Sequence, residues 1–99
     1  MTYKETMELA DKHGIKFMNL LVAQECDWAF SFYYTDEQFE KLCEKTRYVY
    51  GHSREVGVDV CSIAQAINDL IEDEEKTIDD VLAMDFYDIH DVALNFCEY

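Results

Sequence analysis

Residues 55–99 carry thirteen acids and a single base, Lys76, and that imbalance limits what this half of the chain can fold into. A helix with both signs on its wet face gains a few tenths of a kcal/mol from each opposite pair at i, i+4, whereas like charges at that spacing repel by a similar amount. Helices here must therefore be held by apolar stripes packed on the rest of the chain. Such stripes are present. From Asp59 onward, Val60, Ala64, Ile67 and Ile71 recur at helical spacing, with Ser62, Asp69 and Glu72 on the outside. Thr77 caps IDDVLAM and sets Asp79 and Asp80 near the positive end of the helix dipole. A last helix, from about Tyr87 to Phe96, buries Ile89, Val92, Ala93 and Phe96, and its opposite stripe is Asp88, Asp91, Asn95 and Glu98.

The first half reads differently. Residues 1–54 hold nine acids and seven bases, net −2, against −12 for residues 55–99, which together give the total of −14. Thr2 and Glu5 match a capping box ahead of Tyr3, Met7 and Ala10, and Gly14 can supply the left-handed residue that ends that helix. IKFMNLLVA (15–23), QECD (24–27) and WAFSFYY (28–34) follow. Trp28, Phe30, Phe32 and Tyr34 alternate with Ala29, Ser31 and Tyr33, the period of a strand. The spacing predicts a hairpin closed by a four-residue loop. Its second strand carries the clearer pattern, and residues 15–23 suit strand or helix. Thr35 and Gln38 make another capping box before the stripe Phe39, Leu42, Cys43 and Tyr50, and Gly51 is expected to end that helix. The fold class read from these elements is α+β: an N-terminal helix, a β-hairpin, then three to four packed helices. Leu, Ile, Val and Phe total 26 and there is no proline, which favours one folded domain over residues 1–99.

Strong acidity argues against direct binding to DNA, RNA or anionic lipid, because each phosphate contact needs a cation. A basic protein or nucleoprotein complex is the natural complement. IEDEEKTIDD (71–80) has six carboxylates in ten positions. It is not a calcium-binding EF-hand loop, whose sharp turn needs a glycine, since the glycines are Gly14, Gly51 and Gly57. A looser magnesium or manganese site needs a substrate or a geometry that the sequence does not display, so no metal and no cofactor is expected. Acid runs between helices are usually solvated connectors, but here the bias continues across three helices. The candidate partner-binding residues are Asp69, Glu72, Asp73, Glu74, Glu75, Asp79, Asp80, Asp85, Asp88 and Asp91. A second candidate is RYVYGHSREVG (47–57), where Arg47 and Arg54 bracket Tyr48, Tyr50 and His52, Tyr and Arg being favoured at interface hot spots. The structural alternative is that Tyr50 completes a core stripe and the arginines pair with nearby acids.

The three histidines and four cysteines show no chelating pair, and the nearest cysteines, Cys26 and Cys43, are 17 apart. Cys43, Cys61 and Cys97 lie on or beside apolar stripes, whereas Cys26 falls in the expected hairpin turn and should be exposed. Asp88, His90 and Asp91 do not share one helical face, and no Gly-rich phosphate loop, Gly-x-Ser-x-Gly or His-Glu-x-x-His occurs. No catalytic residue is assigned. No stretch has the apolar length of a signal peptide core or a membrane span, so a cytoplasmic protein with reduced thiols is expected.

In size and charge the chain resembles the small phage-encoded inhibitors of host defence, the anti-CRISPR and anti-restriction proteins, several of which imitate nucleic acid. The resemblance implies a non-enzymatic inhibitor acting in the host bacterial cytoplasm, with an acidic helical face in a basic groove that otherwise holds DNA or RNA. The alternative is a small phage structural, assembly or adaptor protein acting through the aromatic hairpin. A metal-dependent enzyme using the acid clusters is a third class.

Overall fold

The computed structural model describes residues 5, 8, 12, 14–53 and 56–97. The expected capping box at Thr2, Arg54 and Glu98 lie outside the described residues.

The hairpin does not form. Helix α1 spans Ile15–Ala29 and includes both the expected first strand and its turn. Met18, Leu21, Val22 and Cys26 are buried at i, i+3, i+4 and i+8, a single helical stripe. Neither Gly nor Pro interrupts residues 15–29, so QECD continues the helix rather than reversing the chain. Cys26 is thus a core residue, not an exposed turn residue. Trp28, expected on a strand, stands on the outer face of α1 and is 70% exposed.

The alternation is genuine from Phe30 to Tyr34, where Phe30, Phe32 and Tyr34 turn inward while Ser31 and Tyr33 face water. Period two requires only extended backbone, and a strand requires a partner as well. None of the described residues supplies one, and the described chain is all-helical. Ser31 instead donates its backbone N–H and its hydroxyl to Asn68 Oδ1, at 2.9 and 3.1 Å. Phe30 packs on Phe32 at 4.9 Å, and Tyr34 stacks on Phe39 at 5.2 Å. Aromatic packing holds this segment in place of a ladder.

Helix α2 spans Asp36–Ser53. Its capping box forms as read: Thr35 N–H donates to Gln38 Oε1 at 2.8 Å, and Gln38 N–H to Thr35 Oγ1 at 3.2 Å. Leu42, Thr46, Val49, Tyr50 and Ser53 form the buried side. The helix runs two residues past Gly51, because Ser53 still belongs to that stripe.

Helix α3, Val60–Glu72, is central among the described residues and touches α1, α2 and the two short helices that follow it. Seven of its thirteen residues are buried, including Ser62. The sequence placed Ser62 outside, on the premise of one wet face. Being surrounded, α3 has little wet face over its first two turns, and the Ser62 hydroxyl finds a partner in the Phe96 carbonyl at 3.3 Å. Asp59 caps α3 by accepting from Ser62 N–H at 2.7 Å. Helix α4, Ile78–Ala83, carries the buried Val81, and α5, Phe86–Ala93, buries Ile89 and Ala93 before a 3₁₀ turn at Leu94–Phe96.

Candidate functional site

The candidate acids follow one another along the chain from the last turn of α3 to the outer side of α5. Asp69 and Glu72 belong to α3, Asp73, Glu74 and Glu75 form its exit loop, and Asp79 and Asp80 open α4. Asp85 precedes α5, and Asp88 and Asp91 lie on its exposed face. Asp69 is half-buried and the other nine are exposed. Among the described residues, no Lys or Arg nitrogen lies within ion-pairing distance of any of the ten.

Two of the acids have local structural duties. Asp80 closes a capping box with Thr77: Thr77 N–H donates to Asp80 Oδ2 and Asp80 N–H to Thr77 Oγ1, both at 3.0 Å. The Thr77 backbone N–H, its hydroxyl and nearby Lys76 hold the Asp80 carboxyl below the usual carboxylate range. Asp69 behaves oppositely. The adjoining Asp73 carboxyl, partial burial and the charge of Glu74 push it up. The loop between these pairs is tightly wound. Asp69 C=O accepts from Asp73 and Glu74 N–H at 2.8 and 3.1 Å, Leu70 C=O accepts from Lys76 N–H at 2.9 Å, and Glu75 has φ +58°.

The bases of α2 are engaged elsewhere. Lys45 donates to the Met84 carbonyl in the α4–α5 connection and lies 5.3 Å from the Tyr48 ring centroid. Arg47 donates to Asn19 of α1. Lys41 pairs with Glu37 along α2 at 3.2 Å. Helix α2 thus interleaves four acids with three bases, whereas the run from α3 to α5 carries acids without ion pairs among the described residues.

The second candidate stretch is divided. Tyr50 is 8% exposed and belongs to the core. Tyr48 is 47% exposed and begins an aromatic chain unread in the sequence: Tyr48 tilts against His52 at 4.5 Å, His52 stacks on Phe86 at 4.6 Å, and Phe86 on Tyr87 at 4.2 Å. The i, i+4 spacing of Tyr48 and His52 could have shown its first step, but the link to α5 depends on tertiary packing.

His90 sits where α5 meets α2, and its Nδ1 lies 2.9 Å from Ser53 Oγ. Ser53 is buried, so this hydroxyl is closed to a substrate. Asp88 and Asp91 face water on the same helix, turned from His90. The described residues hold no group of three or more His, Cys, Asp or Glu side chains able to bind a metal ion. No described helix is long and apolar enough to cross a membrane.

Together these features define an all-helical fold over the described residues, built round one central helix, with a long anionic run from α3 to α5 that makes no ion pair among those residues. Compared with protein-family models, curated proteins and solved structures, the chain matches none.

Proposed function

We propose that this chain is a non-enzymatic binding protein, an inhibitor of the anti-CRISPR or anti-restriction kind, whose acidic surface occupies a basic groove of a nucleic-acid-handling partner. The observation that carries the proposal is the run from Asp69 to Asp91: ten carboxylates, nine exposed, without an ion pair among the described residues. Forgoing such pairs costs stability through self-repulsion, and a cationic partner would recover that energy on binding. Carboxylates at i, i+3 or i+4, such as Asp88 and Asp91, stand ~5–6 Å apart along a helix, a spacing comparable with that of phosphates on a strand. The surface would act as a mimic of nucleic acid by charge and occlusion, in the cytoplasm, that of a bacterial host were the chain phage-encoded. The alternative assembly or adaptor role has no hairpin to act through.

Affinity capture from the native host tests the proposal, with wild type compared against a variant carrying Glu72→Gln, Glu74→Gln, Asp88→Asn and Asp91→Asn. These exposed positions make no capping bond, so the variant should fold. Loss of a nucleic-acid-binding partner from the variant is expected. Equal capture by both proteins would contradict the proposal.

A further inference from the structure

Cys26 and Cys43, 17 residues apart and on different helices, are brought together where α1 packs on α2. Val22, one turn before Cys26 on α1, lines one recess together with Cys43 of α2, so the two cysteines meet across this seam. Thr46, one turn beyond Cys43 on the same face of α2, places its Oγ1 3.4 Å from Cys26 Sγ, which independently sets Cys26 against this part of the helix. Exposure differs sharply between the two. Cys26 is fully buried, whereas Cys43 is half-buried and lines an open recess of about 300 Å³ with Asn19, Val22, Glu40 and Arg47. A small oxidant can therefore reach one sulfur directly and the other only through the first.

We propose that Cys43 and Cys26 form a dithiol site for hydroperoxides, in which Cys43 is the attacking thiolate and Cys26 the resolving thiol. Cys43 Sγ⁻ attacks one oxygen of hydrogen peroxide; the S–O bond forms, the O–O bond breaks, and the hydroxide that leaves combines with the proton Cys43 lost on ionising, giving water. Cys26 Sγ then attacks the Cys43 sulfenic sulfur; the S–S bond forms, the S–O bond breaks, and the Cys26 proton leaves with that oxygen as water. Two thiols lose two electrons in total and one peroxide becomes two waters. The disulfide would clamp α1 to α2, independently of the acidic surface.

The electrostatics assign these roles consistently. The neighbouring Cys26 thiol, aided by the Arg47 guanidinium, holds the Cys43 thiol below its ordinary value, although burial and Glu40 oppose this. The Cys43 thiol beside it and burial push Cys26 up, so it keeps its proton until the sulfenic acid forms. The other thiols are less suited. Cys61 is pushed up to about 12 by burial and by Glu25, and Cys97 donates to the Ala93 carbonyl at 3.5 Å.

Peptide mapping tests the site on the whole chain. Cleavage after Lys and Arg separates the four cysteines, with Cys26 in residues 17–41, Cys43 in 42–45, Cys61 in 55–76 and Cys97 in 77–99. After hydrogen peroxide treatment and a non-reducing digest, the expected product joins peptides 17–41 and 42–45, with the loss of two hydrogens. Cys43 should react at least roughly tenfold faster than Cys61. Cys43→Ser, a half-buried replacement expected to fold, should leave Cys26 reduced. Over-oxidation of Cys43 with Cys26 still a thiol, or cross-links through Cys61 or Cys97 in equal yield, would overturn the proposal.

Discussion

At the end of α3 the Asp73 N–H donates to the Asp69 carbonyl at 2.8 Å, which sets the two carboxyls one turn apart. The Asp73 carboxyl raises that of Asp69 above its ordinary value. Because the folded state raises the Asp69 value, it binds the Asp69 proton more tightly than the unfolded chain does. The stabilising contribution is therefore complete below the ordinary value of 3.8 and is lost as pH rises through the raised value. At neutral pH the pair is a cost. Asp69→Asn fixes the neutral form and should stabilise the protein by about 0.2–0.5 kcal/mol at neutral pH, the size of an i, i+4 like-charge penalty. Thermal melts of both proteins should converge below pH 3.8.

The Thr77–Asp80 box carries the opposite sign. Asp80 is lowered by the Thr77 N–H, so its contribution is present above the ordinary value and is lost as pH falls through the lowered one. Thr77→Ala should cost about 1 kcal/mol at neutral pH and Thr77→Ser little, because Ser keeps the accepting oxygen. Denaturant unfolding of the three proteins checks this. Equal stability of all three would mean that the box contributes nothing to a six-residue helix.

Glu75, at φ +58°, holds a left-handed conformation that costs a residue with a Cβ about 1 kcal/mol. Glu75→Gly removes that cost and one repelling charge, against a greater loss of chain entropy. A net gain of up to about 1 kcal/mol is expected, read from the urea midpoint at unchanged slope.

Trp28 and Ile67 distinguish the all-helical core from a hairpin core. A strand reading puts the Trp28 ring inside, whereas α1 puts it in water. Trp28→Ala should change stability by less than about 0.5 kcal/mol, while Ile67→Ala, at the centre of α3, should cost about 2–5 kcal/mol. As the sole tryptophan, Trp28 should also emit at long wavelength in the native state.

Local signals were legible and tertiary ones were not. The Thr35–Gln38 box and the Thr77 cap depend on residues three apart, and both form where the spacing put them. The stripe Val60, Ala64 and Ile67 was likewise readable, because a helix repeats its own period. Residues 15–34 were misread because an apolar run suits strand or helix equally. What decides it is Cys26 filling the α1–α2 seam beside Thr46, which no local period displays. Ser62 was misplaced for a related reason: its partner, the Phe96 carbonyl, is 34 residues away. The exposed acids were the easiest part of the candidate site, since ionised carboxylates without partners stay in water.

The central claim is that the acidic run binds a cationic groove in place of nucleic acid. A charge surface of this kind acts through a field screened over a Debye length of ~8 Å at physiological salt, and screening should slow association first. The most direct measurement is the association rate and affinity for the captured partner across ~50 to 500 mM NaCl, with and without the partner's nucleic acid as competitor. The expected result is an affinity that falls steeply with salt, mainly through the on-rate, together with mutually exclusive binding of nucleic acid. An affinity indifferent to salt, in a complex that still binds DNA or RNA freely, would contradict it.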